Sequence, residues 1–321
     1  MEWNLLADNF SNPALLFFIL GLLAVQLKSD LSIPEHSSKF ITLYLLFSIG
    51  FRGGQELAHS AMDAEMIGTL VAGILASALV PLYTFYLLKR KLGIENAGAI
   101  AASYGSVSAV TFITAVAFLE THQIHFGGHM VAVMASMEAP AIVTGMLLIS
   151  LHREKQAHEI PIVQTVKHAF TNGSVFLILG SLLIGYLTSD AQAEGIKPFT
   201  TDLFKGFLAI FLLDMGITSG KKLKSFWKHG WFTVVFAIGI PLINGSLMAF
   251  VSDFFMATEG NRLLLSVLAA SASYIAVPAA MRLAAPKANP GIYIPMALAV
   301  TFPMNIIFGI PWYLYLIHLT M

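Results

Sequence analysis

Long apolar runs follow one another along the chain, with short polar stretches between them. Ten of these runs approach the length of about 20 residues that a helix needs to cross a bilayer. They cover residues 13–27, 38–51, 66–88, 96–119, 129–151, 174–189, 201–218, 230–251, 261–281 and 291–318. The first run lacks the charged start and cleavage site of a signal peptide, so we expect it to be retained. The pattern predicts an all-α polytopic membrane protein with ten transmembrane helices.

Composition supports a membrane protein and excludes several other classes. Of the 321 residues, 57% are hydrophobic and only 11% are charged, whereas a soluble domain is typically about one quarter charged. The chain has no cysteine, which excludes disulfides, thiolate zinc sites and cysteine nucleophiles. Its 18 Lys and Arg residues are balanced by 18 Asp and Glu residues. Without a basic excess, we expect no nucleic-acid partner.

The distribution of basic residues predicts an orientation. If the N-terminus is outside, 14 of the 18 Lys and Arg residues fall in the inner loops, as the positive-inside rule requires. We therefore expect a bacterial inner membrane protein with both termini on the periplasmic side. Arg52, Glu56 and His59 are expected at a solvated outer rim.

Weak similarities between the two halves of the chain indicate an internal repeat. Gly21 corresponds to Gly180, and the sequence at 78–82 corresponds to that at 238–242. Five helices per half is an odd number, so two similar halves must have opposite orientations, as in many secondary transporters. We expect repeats at 1–151 and 174–321, joined by a cytoplasmic linker at 152–173. Chance matching of Gly, Ala and Pro is the alternative.

Two apolar runs contain small and polar residues at matching positions of the repeat. The fourth contains Ser103-Tyr104-Gly105-Ser106-Val107-Ser108, and the ninth contains Ser271-Ala272-Ser273-Tyr274-Ile275-Ala276-Val277-Pro278. Such residues favour helix breaks, which a membrane protein tolerates only where the backbone is buried or lines a cavity. Two broken helices could direct their N-terminal dipole ends at one anion, and the Ser hydroxyls could add donors or coordinate a cation. Close helix packing through small residues is the alternative.

Polar residues within the apolar runs are candidates for coupling to an ion. A carboxylate in hydrocarbon is costly and usually faces a cavity, a partner or an ion. The candidates are Glu138, Asp214, Asn305 and Ser103. Asp214 could instead pair with Lys221 or Lys222, and the Asn305 amide could simply bond across helices.

The order of these motifs resembles the sodium-dependent bicarbonate transporters of the SbtA type. The likeness is carried by residues 104–108 and 269–273, by Glu138-Ala139-Pro140 and by Ala288-Asn289-Pro290, and it runs over nearly the whole chain. It implies an inverted 5+5 repeat with two broken (crossover) helices. It also implies a gate or scaffold from helices 1, 2, 6 and 7, a core from helices 3–5 and 8–10, an elevator-like cycle and a homotrimer.

The resemblance also implies a substrate site between the two broken helices. That site would comprise Gly105, Ser106, Val107, Ser108, Ser271, Ser273, Tyr274, Ile275 and Ala276. Sodium, the coupling ion, would bind at Ser108, Glu138 and Ser273, and no other cofactor is expected. A PII-like regulator on the cytoplasmic face is a further partner that the family suggests. The chain departs from the family pattern at two positions. Tyr274 stands where cyanobacterial members have an acidic residue, and Glu138 stands where they have Asp.

These features predict a secondary active transporter that imports a small anion, with sodium-dependent bicarbonate symport as the leading interpretation. The alternative is a proton-coupled carrier of another small anion or carboxylate, in which Glu138 or Asp214 titrates. A membrane-embedded enzyme is not expected, since no nucleophile with an adjacent base and no HExxH motif occurs in the runs.

Overall fold

A computed structural model of the chain describes residues 12–59, 63–153, 171, 173–226 and 230–321. These residues form helices joined by short loops, and no β-strand occurs among them. The predicted all-α class is therefore confirmed for the described part of the chain.

Two series of helices account for the two halves of the chain. The first series is α1 (Pro13–Gln26), α2 (Glu35–His59), α3 (Ala64–Leu92), α4 (Ile94–Gly105), α5 (Ala109–Thr121), α6 (His129–Ser136) and α7 (Glu138–His152). The second is α8 (Gly173–Leu187), α9 (Asp190–Glu194), α10 (Phe204–Phe226), α11 (Trp231–Val251), α12 (Glu259–Ala270), α13 (Ala276–Ala284) and α14 (Pro290–His318). A π-helical turn at Pro198–Asp202 precedes α10, and two more, Met296–Thr301 and Asn305–Gly309, lie within α14.

Six helical stretches among the described residues are long and apolar enough to cross a membrane. They are Ala64–Leu92, Ile94–Thr121, His129–His152, Pro198–Leu223, Trp231–Phe254 and Pro290–His318. Two shorter apolar helices, α1 and α8, accompany them. The chain is thus a multi-pass membrane protein, whereas the count of ten crossings stays a prediction.

Local sequence accounts for where several helices begin. The side chain of Asn12 accepts a hydrogen bond from the Ala14 amide at 2.9 Å, and Pro13 occupies the first helical position of α1. The Asp63 side chain accepts from the Met66 amide at 2.8 Å at the start of α3. Such caps satisfy amides that have no partner within the helix. Helix α2 extends the predicted 38–51 at both ends, because its polar terminal residues continue the helix beyond its apolar centre.

The helices separate into two packing groups. In the first group, α1 packs along α10 and α2 packs along α8. Helices α2 and α8 lie so close together that a Cβ on Gly54 would overlap the Leu182 carbonyl, and a Cβ on Gly185 would overlap the Phe51 carbonyl. In the second group, α3 and α13 each pack on α4 and α7, and α12 packs on α5, α11 and α14. The boundary between the two groups contains the site described next.

Candidate functional site

Both predicted breaks occur, and the structure brings them together. Residues 106–108 separate α4 from α5, and residues 271–275 separate α12 from α13. The Ser273 amide donates to the Ser103 carbonyl at 2.8 Å, and the Ser103 hydroxyl donates to the Ser273 carbonyl. The Ser108 amide donates to the Ser271 hydroxyl at 3.0 Å. Each break therefore supplies partners for backbone groups that the other leaves without a helical bond.

Two helix N-termini start at these breaks. Helix α5 begins after Ser108, whose hydroxyl accepts from the Thr111 amide at 3.2 Å. Helix α13 begins at Ala276, and the Val277 amide approaches the Ser273 hydroxyl at 3.4 Å. The first amides of a helix carry a partial positive charge and have no intrahelical acceptor. Both N-termini can therefore supply hydrogen-bond donors to an anion.

A single crevice contains residues from both N-termini. Its volume, including its open mouth, is about 400 Å³. The second packing group contributes Val107, Ser108, Ala109, Val110, Ile113, Glu138, Ser273, Tyr274, Ile275 and Ala276, and the first contributes Thr42, Leu46 and Ser174. The crevice thus lies between the two groups, with the helix breaks on one wall and α2 and α8 on the other.

Among the described residues that line this crevice, Glu138 is the one with a charged side chain. It is the first residue of α7 and only 8% exposed. Its Oε2 atom is buried without a hydrogen-bond partner among the described residues. Burying a carboxylate without a partner is costly, so the site favours a cation or a proton at this oxygen.

Tyr274 adds a second polar atom without a well-formed hydrogen bond to the described residues. Its hydroxyl is buried and lies near the Ser108 side chain. Tyr274, Ser108, Ser273 and Glu138 together supply the crevice with hydroxyl and carboxylate oxygens. Oxygen atoms are the ligands that hard cations prefer. The three residues predicted to bind sodium, Ser108, Glu138 and Ser273, all line the crevice.

Four of the predicted site residues lie outside the crevice lining. Ser103 and Ser271 join the two breaks through the hydrogen bonds given above. Gly105 packs against Pro81 of α3. Ser106 is buried, and its hydroxyl has no partner within the described chain. These residues shape the breaks, whereas Val107, Ser108, Ser273, Tyr274, Ile275 and Ala276 face the crevice.

Two of the predicted ion-coupling residues, Asn305 and Asp214, are also not part of the crevice lining. The Asn305 amide nitrogen donates to the Ala270 carbonyl at 2.7 Å, and its oxygen accepts from the Tyr313 hydroxyl at 3.0 Å. Asp214 of α10 accepts a hydrogen bond from the Ser38 hydroxyl of α2 at 2.5 Å. Asn305 therefore bonds across helices, and Asp214 joins two helices of the first group.

Sequence reasoning missed the wall that faces the breaks. Thr42 and Leu46 belong to α2, and Ser174 belongs to α8. Thr42 was the available signal, as a polar residue within the apolar run 38–51. No pattern in the sequence indicates which side of that run meets the breaks.

The comparison with known families now gives the chain its class. A family model, described as the Na⁺-dependent bicarbonate transporter superfamily, matches residues 13–318. The chain belongs to that superfamily. Membership identifies it as a membrane transporter and not an enzyme, and it indicates bicarbonate and sodium as the transported solutes. No curated protein matches the chain significantly.

Proposed function

We propose that this transporter is a sodium–bicarbonate symporter that imports bicarbonate by alternating access. In this proposal the anion binds in the crevice at the N-termini of α5 and α13, and sodium binds at Ser108, Glu138 and Ser273. The observation that carries the proposal is the placement of two helix N-termini in a single crevice with Glu138, whose buried Oε2 atom has no hydrogen-bond partner among the described residues.

The helix N-termini favour a small anion over a neutral solute. Each carries a partial charge of about half an elementary charge, and no basic side chain occurs in the described lining. Backbone amides bind an anion without a cationic side chain that would pair with Glu138. The predicted substrate residues outside the lining, Gly105, Ser106 and Ser271, would then act by holding the breaks in place.

Glu138 supports coupling to a cation. A bound anion adds negative charge near a carboxylate that is already buried, and both interact strongly at low dielectric. A cation at Glu138 removes this repulsion, so each solute improves the site for the other. That mutual effect is the thermodynamic basis of symport.

The division into two packing groups supports alternating access. We propose that α1, α2, α8 and α10 form the gate or scaffold and that the remaining long helices form the core. The pairing of α1 with α10 and of α2 with α8 fits an inverted 5+5 repeat with halves at 1–151 and 174–321. An elevator-like movement of the core would carry the crevice along the gate.

Several further features are part of the proposal through the family resemblance. They are a homotrimer, periplasmic termini in a bacterial inner membrane, and a PII-like regulator on the cytoplasmic face. Most of the linker at 152–173, where such a regulator could bind, lies outside the described residues.

Uptake of labelled bicarbonate into proteoliposomes tests the proposal. We expect accumulation that requires an inward sodium gradient at fixed pH. Glu138→Gln should reduce the sodium stimulation about tenfold or more, since about 1.4 kcal/mol of lost cation binding suffices for that factor. Asp214→Asn is the matched control, because it neutralises a buried carboxylate outside the crevice. Equal loss in both variants, or unchanged sodium stimulation in Glu138→Gln, would contradict the assigned role.

The same assay separates the proton-coupled alternative. The Glu138 carboxylate, whose Oε2 atom has no hydrogen-bond partner among the described residues, can carry a proton in place of sodium. Uptake that follows a pH gradient and ignores sodium would favour that alternative, with the crevice unchanged.

A further inference from the structure

A second cavity lies along the same boundary between the packing groups. Its volume, including its open mouth, is about 670 Å³, and its lining includes Arg52 and Glu56 of α2, Glu120 of α5, and His125. In contrast to the crevice, this lining carries charges of both signs.

The two cavities follow one another along α2 and α5. Leu46 and Ile113 line the crevice, whereas Ile49 and Val116 line the second cavity. On each helix the two residues are three positions apart, which corresponds to a rise of about 4.5 Å. All four side chains are buried at 3% exposure or less and belong to one hydrophobic cluster. We call these four residues the apolar plug, since they separate the cavities by about one helical turn.

An ion pair crosses the boundary beside the plug. The Arg52 Nη1 atom lies 2.5 Å from Glu120 Oε1, and about a quarter or less of each side chain is exposed. The Arg52 guanidinium also lies over the Phe204 ring of α10, 4.5 Å from its centroid. Arg52 is thus anchored to two helices of the first group, while Glu120 belongs to α5 of the second.

The backbone is also closely packed next to this ion pair. A Cβ on Gly128 would overlap the Gly53 carbonyl of α2, so the segment before α6 touches α2 directly. The ion pair, the close backbone contact and the plug all close the boundary at the same end of the crevice.

From this arrangement we propose that Arg52 and Glu120 form a latch that holds the apolar plug closed. The second cavity then becomes the substrate entrance when the latch opens. An opened latch releases one cationic and one anionic side chain into the entrance, where they attract the anion and the cation of the cargo. This inference rests on the proposed function for the nature of the cargo, but the latch itself rests on geometry alone.

Cysteine labelling tests the latch without requiring transport. The chain has no cysteine, so Val116→Cys introduces a single reporter into the plug. Reaction with a membrane-impermeant maleimide in proteoliposomes measures how often the plug opens. Arg52→Gln and Glu120→Gln should each raise the labelling rate about three- to tenfold, as expected from losing a partly buried ion pair. The exchange Arg52→Glu with Glu120→Arg should restore the rate to within about twofold.

Two controls make each outcome decisive. Arg153→Gln removes a comparable ion pair, with Glu95, in which both side chains are less than one fifth exposed and both helices belong to the second group. It should leave Val116→Cys labelling unchanged. Ile142→Cys, buried in α7, reports general loosening. The latch is overturned if Arg52→Gln and Glu120→Gln leave Val116→Cys labelling unchanged, or if Ile142→Cys labelling rises equally. If the labelling rates follow the expectation for the latch but the protein shows no bicarbonate uptake, the proposed function is refuted and the latch is retained.

Discussion

Substitution of Asn305 by Ala distinguishes a structural role for this residue from a role in ion coupling. The Asn305 side chain is fully buried and bridges Ala270 and Tyr313. Ala270 ends α12, so its carbonyl lacks the amide donor that a further helical turn would provide. The substitution removes two hydrogen bonds and leaves that carbonyl without its side-chain donor. The Tyr313 hydroxyl keeps its second acceptor, the Pro241 carbonyl, at 3.2 Å.

The size of the effect follows from these contacts. An unsatisfied buried acceptor costs about 1–3 kcal/mol, and hydrogen bonds between membrane helices contribute about 0.6 kcal/mol on average. We therefore expect Asn305→Ala to lower the free energy of unfolding by about 1–3 kcal/mol. At about 2 °C per kcal/mol for a large domain, the Tm should fall by about 2–6 °C.

Thermal unfolding followed by tryptophan fluorescence and sodium-dependent uptake together provide the assay. The Tm should fall, while the sodium concentration for half-maximal uptake stays within about twofold of the parent. Asn244→Ala is the matched control, because Asn244 of α11 accepts a hydrogen bond from the hydroxyl of Tyr83, a residue that is 38% exposed. Its Tm should fall less. An unchanged Tm in Asn305→Ala with a tenfold shift in sodium dependence would refute our reasoning and place Asn305 in the coupling machinery.

Three other substitutions test the packing. Gly54→Val should separate α2 from α8 and lower the yield of folded protein, measured by size-exclusion chromatography, because the new side chain would overlap the Leu182 carbonyl; a normal yield would contradict the close packing. Arg262→Met should lower the free energy of unfolding by about 1–3 kcal/mol, because the buried Arg262 guanidinium no longer donates to the Ala249 carbonyl, while the exposed Asp253 can be solvated once its ion pair is lost; an unchanged Tm would argue against this. Lys197→Ala should change stability by less than about 1 kcal/mol, since its ion pair is largely exposed, and a Tm shift as large as that of Arg262→Met would contradict that expectation.

The sequence predicted the helical class, the breaks and the crevice wall that contains them. Small residues and serines stand out against an apolar background, so Ser108 and Ser273 could be identified from local pattern alone. The same pattern could not separate residues that face the crevice from residues that join the breaks. Ser271 and Ser108 occupy similar sequence contexts. The Ser271 hydroxyl accepts a hydrogen bond from the opposite break, whereas Ser108 lines the crevice. That difference depends on how two distant segments cross.

Residues on the opposite wall and in the latch were harder to predict, because their role depends on partners far along the chain. Arg52 was expected at a solvated rim, but it is only about one fifth exposed and bonds to Glu120, 68 residues later. Asp214 has the acidic side chain expected of a coupling residue, and it accepts a hydrogen bond from the Ser38 hydroxyl of the neighbouring helix α2. A charged residue in an apolar run indicates that a partner exists, while only the tertiary structure identifies that partner.

Under the proposed function, the charge balance of the crevice explains why two helix N-termini serve better than a basic side chain. The two N-termini together supply about one positive charge, which offsets the single negative charge of an ionised Glu138. Binding one anion and one sodium ion leaves that balance unchanged, whereas binding either alone leaves about one uncompensated charge in a low-dielectric boundary. A lysine in the crevice would form an ion pair with Glu138 and remove the cation site. The empty and fully loaded crevices therefore carry less uncompensated charge along the low-dielectric boundary than a crevice that holds one solute, which favours movement of the two solutes together.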